Sequence, residues 1–124
     1  MRIIAHDYAF EAPDSARAGP MTIEFENRGA KDHELFVGLL RIGAGPADIL
    51  AAHEKGIGFR LLQTAYLEDP PSGLLFASPG KVAAAKLVVP LVSGRSYVLF
   101  CQLRDTVGAR QHAALGMFRV VGVR

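Results

Sequence analysis

The chain has no tryptophan and a single cysteine, Cys101. One cysteine excludes an internal disulfide and any metal site built on two thiolates. Long hydrophobic runs are missing too: Leu35–Leu40 is short, Lys86 and Pro90 interrupt Val82–Val92, and neither stretch is long enough to span a membrane. Charge of one sign is equally scarce. The 14 basic and 12 acidic residues leave a formal +2 with no Lys/Arg run, so neither a nucleic-acid surface nor a polybasic membrane surface is implied. No charged segment followed by an apolar one precedes Arg2-Ile3-Ile4, so no signal peptide is expected within the chain, and a trimmed or mature form is the expectation. The sequence carries no Gly-rich phosphate loop, no His-Glu-x-x-His helix and no His-x-His pair.

Half of the 124 residues are apolar, enough for one core, and residues 1–124 are expected to form a single domain. Ile3–Phe10 is β-branched and aromatic enough for an opening strand, with turn residues at Glu11–Ser15. Met21–Glu26 alternates apolar and polar without a fault, which places Met21, Ile23 and Phe25 on one face of a second strand. After a turn at Asn27-Arg28-Gly29, His33–Leu40 reads as a strand covered on both faces, with His33 on the parity of Leu35, Val37 and Leu39. Pro46 and Asp48 suit the first turn of a short helix running to about Lys55, and Gly56 suits its stop. Ile49 and Ala52 or His53 would face the core. The span 58–77 is mixed, with a Pro-rich loop at Asp69–Gly73, and residues 45–73 are expected to be an insertion over one end of the fold. Further strands are expected at Ala83–Val89, Tyr97–Cys101 and Met117–Val123, with a turn at Pro90–Gly94. Several short strands and one helix imply an all-β sandwich.

The chemistry concentrates in Cys101–Met117, which gathers the cysteine, His112 and Met117 beside the closing strand. Thiolate, imidazole and thioether form a soft donor set that suits copper, whereas calcium and magnesium take oxygen ligands. His33 is the candidate for a second imidazole. Two histidines, a cysteine and a weak axial methionine are the ligands of a blue-copper electron-transfer centre. Each residue also has a plainer reading: a lone cysteine on an inward strand face as core, Met117 as core filler, His33 and His112 as solvated or backbone-bonded rings. His6 and His53 are read as structural or solvent-facing. A Cys–His–Asp hydrolase can be assembled on paper from Cys101, His112 and Asp105, but no nucleophile motif supports it, and no enzymatic activity is expected.

The pattern resembles the cupredoxins, the Greek-key β-sandwiches of the plastocyanin and azurin kind. The markers are the Asn27-x-Gly29 turn followed by His33, then Gly94 and Tyr97 leading to Cys101, then His112 and Met117, with Asp7–Asp14 and His112–Met117 similar to bacterial single-domain members. The resemblance implies one copper ion, cycling between Cu2+ and Cu+, with His33, Cys101 and His112 equatorial and Met117 axial. It also implies electron transfer with a redox partner protein and a periplasmic or extracytoplasmic location. The exposed edge of His112 would be the electron's exit, Ala113 and Leu115 an apolar contact patch, and Arg104 and Arg110 a complement to an acidic partner. A non-redox copper carrier and a metal-free interaction module are the competing readings. Three features depart from the family pattern: ten residues between Cys101 and His112, Glu34 where many members have an Asn that ties the ligand loops together, and the 45–73 insertion.

Overall fold

The computed structural model describes residues 1–54 and 65–124. In chain order the elements are β1 (Arg2–His6), β2 (Ala9–Glu11), β3 (Ser15–Ala16), β4 (Gly19–Asn27), β5 (His33–Leu39), α1 (Pro46–Glu54), β6 (Gly73–Ala77), β7 (Leu87–Leu91), β8 (Ser96–Phe100), a 3₁₀ turn (His112–Leu115) and β9 (Phe118–Val123). The strands form two mixed sheets, β2-β1-β4-β7 and β3-β9-β8-β5-β6. Side chains alternate along each strand, so the inward sets Ile23/Phe25, Leu35/Val37 and Tyr97/Leu99 meet between the sheets in one buried core. This is the expected sandwich. Among the described residues no helix is long and apolar enough to cross a membrane.

The expected unbroken strand over Ile3–Phe10 is instead a hairpin. His6 pairs with Ala9, so Asp7 and Tyr8 form its turn. The strand expected at Ala83–Val89 begins at Leu87 and runs through Pro90 to Leu91. Its missing N–H is tolerated because β7 is the outer strand of its sheet, and the turn shrinks toward Gly94, whose φ is +77°. Gly73–Ala77, which the pattern left mixed, is β6, paired with β5 along Glu34↔Phe76 and Phe36↔Leu74.

Residues of the opposite parity on β8, Val98 and Phe100, are buried as well, because α1 lies over the outer face of the five-stranded sheet and packs Ile49 against them. Within the expected insertion, α1 therefore covers a face of the sandwich, while residues 55–64 lie outside the described residues. Pro46 begins α1, and the Asp48 carboxylate accepts the Gly45 N–H at 2.9 Å, a first-turn cap. Ile49, Ala52 and His53 are its buried residues, so His53 is structural. The expected stop at Gly56 lies outside the described residues.

Register decides what happens at one pole. β8 runs antiparallel to β5, with Phe36 opposite Phe100, and to β9, with Phe100 opposite Phe118. The start of β5, the end of β8 and the start of β9 therefore emerge together. β1 runs parallel to β4, with Ala5 opposite Asn27, which brings the Asp7–Tyr8 turn to the same pole.

Candidate metal centre

His33 and Cys101 arrive there on strands, and His112 on the loop between β8 and β9. His33 is the first inward residue of β5, and Cys101 is the next inward position after Leu99. The loop that follows folds back on itself: His112 N–H donates to the Leu103 carbonyl at 2.8 Å, Ala113 N–H to Cys101 at 2.9 Å, and Met117 N–H to His112 at 3.0 Å. Gly116, with φ +101°, takes the left-handed conformation that glycine adopts without steric cost and returns the chain to β9. The Cys101 N–H then donates to the Met117 carbonyl at 3.3 Å. His33, Cys101, His112 and Met117 are all buried.

The ligand atoms of His33, Cys101 and His112 lie within 4.8 Å of one another. The two Nδ1 atoms are 3.2 Å apart, and Cys101 Sγ is 3.4 Å from His112 Nδ1. Met117 shares the buried core cluster with Cys101. The far side of each ring is already committed: His33 Nε2 is 2.5 Å from Asp7 Oδ1, and His112 Nε2 is 2.7 Å from Asp105 Oδ1. Burial pushes the Asp7 carboxyl up, but N–H donors from Ala30, His33 and Lys31 together hold it below its ordinary value. Hydrogen bonds from Tyr8 and His112 hold Asp105 down. Ionised carboxylates only accept, so both Nε2 atoms carry hydrogen.

Burial also lowers the basicity of His33 against the pull of Asp7. A neutral ring protonated at Nε2 presents a bare lone pair at Nδ1. Where both rings take that form, two lone pairs face each other at 3.2 Å, and a proton or a metal ion between them relieves the repulsion. A first-row ion held trigonally at zinc-like bond lengths of about 2.0–2.1 Å to nitrogen and 2.3 Å to sulfur would set N–N and N–S separations of roughly 3.5 and 3.8 Å. The His33–His112 and Cys101–His112 separations would each need to open by roughly 0.3–0.4 Å to match those values. The donor set fits a soft or borderline transition metal.

Two further groups shape the sulfur. Burial pushes the Cys101 thiol up to about 11, so the metal-free protein keeps it protonated at neutral pH. The Glu34 N–H lies 3.5 Å from Sγ, and the Glu34 carboxylate accepts the Gln102 N–H at 3.2 Å. Glu34 thus ties the two donor segments together, the task that the resemblance assigns to an Asn. Asn27 ties the approach to His33 to the end of β6, its amide donating to the Lys31 carbonyl at 2.7 Å and the Ala77 carbonyl at 2.9 Å.

Cys101, His112 and Asp105 do line up as thiol, imidazole and carboxylate. A nucleophilic cysteine, however, needs a lowered pKa and access. Cys101 has a raised pKa and is fully buried, and a second imidazole is packed against His112.

One expectation is corrected. His112 has no exposed edge: it is 1% exposed, covered by Asp105 and by the Tyr8 ring, whose centroid is 4.8 Å from that of His112. Ala113 is buried beneath α1 and leaves the contact patch, whereas Leu115 is 44% exposed and Arg104 and Arg110 are exposed. Sequence reasoning missed the partners on the imidazoles. Asp7 entered only as part of a fold marker, Asp105 only in the paper triad, and Tyr8 not at all as a site residue.

No protein-family model matches the sequence, and no curated protein matches it. Solved structures do. Reduced auracyanin from the photosynthetic bacterium Roseiflexus castenholzii is 17% identical with a TM-score of 0.61, over 99% of this chain and 94% of that one. Auracyanin A, described as a "blue" copper protein from Chloroflexus aurantiacus, is 19% identical with a TM-score of 0.54, over 100% of this chain and 97% of that one. Reduced rusticyanin is 19% identical with a TM-score of 0.56, over 99% of this chain and 78% of that one. At such identities the likeness establishes the fold. The chain is a cupredoxin-like β-sandwich, and its buried His–Cys–His cluster is a candidate single-metal site.

Proposed function

We propose that this single domain binds one copper ion through His33 Nδ1, Cys101 Sγ and His112 Nδ1, with Met117 as a weak axial ligand, and acts as a type 1 electron carrier and not as an enzyme. The observation that carries the reading is the pair of Nδ1 atoms 3.2 Å apart beside the thiol, with both Nε2 atoms already engaged by carboxylates. Bound copper would supply a one-electron Cu(II)/Cu(I) couple with no open substrate position. The chain does the rest. The stitched 101–117 loop and the β5 entrance hold the donors, burial excludes water, and the Glu34 N–H offsets part of the charge on the sulfur. Auracyanin A, a "blue" copper protein on the same fold, supports the reading, as does the donor set. A redox partner protein and an extracytoplasmic location go with it.

Cu(II) addition should give an intense thiolate-to-copper absorption band that is absent in Cys101→Ser. A colourless titration of folded protein would sink the proposal and leave the metal-free module. The covered His112 edge favours a second reading, a carrier that holds mainly Cu(I). Reversible voltammetry of the loaded protein separates the two.

A further inference from the structure

The cluster carries more than its donors require. Asp7 and Asp105 come from loops nearly a hundred residues apart, yet each ends on the Nε2 of a different imidazole. Neither contact is incidental to its loop. The Asp7 carboxylate also accepts the backbone N–H groups of Ala30 at 2.8 Å and Lys31 at 3.4 Å. Room for it depends on Gly29: a Cβ there would sit 2.3 Å from Asp7 Oδ1 and 2.9 Å from His33 Nε2. Asp105 uses its other oxygen to accept the Tyr8 hydroxyl. One two-residue turn thus touches both rings, Asp7 directly on His33 and Tyr8 through Asp105 on His112. The extra length between Cys101 and His112 is what carries Asp105 back over its own histidine.

We propose that Asp7 and Asp105 are paired positioning carboxylates that hold His33 and His112 as Nε2–H tautomers, aim both Nδ1 lone pairs at the Cys101 sulfur before an ion arrives, and bias the site toward the more highly charged oxidation state of copper. The inference rests on the copper reading for its second half only. A carboxylate that accepts the outer N–H of a metal-bound histidine fixes the tautomer and raises ligand basicity, and loss of such partners costs about 10–100-fold in metal affinity. Two added negative charges beside the rings favour the doubly charged ion over the singly charged one. Both carboxylates are partly exposed, 26% and 24% at the side chain, so solvent screening keeps the effect at the lower end of that range.

Asp105→Asn and Asp105→Ala separate orientation from charge, because the Asn oxygen still accepts the ring N–H. Asp7→Ala tests the other ring, and amide spectra of each variant confirm its fold. In the metal-free protein, long-range ¹H–¹⁵N spectra should place the proton of both rings on Nε2. Asp105→Asn should retain that form, whereas each Ala variant should lose it at its own ring only. In copper competition titrations each variant should lose about tenfold in Cu(II) affinity and less in Cu(I) affinity. A tenfold change in that ratio raises a one-electron potential by 59 mV. Wild-type rings protonated at Nδ1, or an unchanged Cu(II)/Cu(I) ratio in Asp105→Asn and Asp7→Ala, would overturn the proposal, since a merely structural ion pair would leave the ratio alone. Should the wild-type protein refuse copper, the copper reading falls, and the metal-free spectra still decide whether the carboxylates set the tautomers.

Discussion

His33 and Leu35 stand two residues apart on the inward face of β5, and Cys101 and Leu99 do the same at the end of β8. All four are buried. Leu35 and Leu99 are held by apolar packing inside the sandwich, whereas His33 and Cys101 are held at the pole by directional contacts to Asp7, His112 and the Glu34 N–H. The same strand alternation thus delivers packing groups first and donor groups last. The site borrows its position from the sheet register, and a one-residue slip would turn donors and core outward together. What differs is the kind of free energy involved: area removed from water in the interior, hydrogen bonds and buried titratable groups at the pole.

That division can be tested from the interior outward. Leu35→Ala removes a fully buried side chain between the sheets, and denaturant unfolding of the metal-free protein should show a loss of about 2–5 kcal/mol. A loss near zero would mean that the pole, and not the interior, carries the fold.

Cys101 gives the next largest effect. Burial lifts its thiol from 9.0 to about 11, so folding favours the protonated form. Between those values the unfolded chain ionises and the folded one does not. Stability attributable to Cys101 should be nearly flat below about pH 8 and should fall by about 2 kcal/mol as the pH rises to 11. Metal-free Cys101→Ala should lack that loss, and parallel pH curves for the two proteins would refute a dry, apolar setting for the sulfur.

The interior was legible in the sequence because alternation at Met21–Glu26 reports one buried face, while the largely apolar runs His33–Leu40 and Tyr97–Cys101 report strands covered on both faces. β6 was hidden: Leu74 and Phe76 are half exposed, so the run Gly73–Ala77 shows no polar outward face, and it follows a Pro-rich loop. The hairpin at Asp7 was hidden by β-propensity on both sides of a turn with no glycine or proline. At the pole, donor types were legible because the chain has one cysteine and four histidines, which leaves few ways to build a site. Their partners were not. Any of twelve acidic residues might sit on an imidazole, and only the meeting of the β1–β2 turn with the β5 entrance selects Asp7.

Glu34 marks the border between the two regions and should show the smallest effect. Its backbone N–H faces the Cys101 sulfur, while its carboxylate accepts the Gln102 N–H at 3.2 Å, and burial raises the carboxyl above its ordinary value. That cost of burying charge offsets much of what the hydrogen bond contributes. Glu34→Ala should therefore lower stability by only about 1 kcal/mol while speeding hydrogen exchange at the Gln102 amide. Glu34→Gln, which keeps an oxygen acceptor and sheds the buried charge, should equal or exceed the parent in stability and leave that amide protected. A large loss in Glu34→Gln would mean that the charge itself is needed at the pole, and the contrast drawn from β5 would then extend from side-chain polarity to net charge.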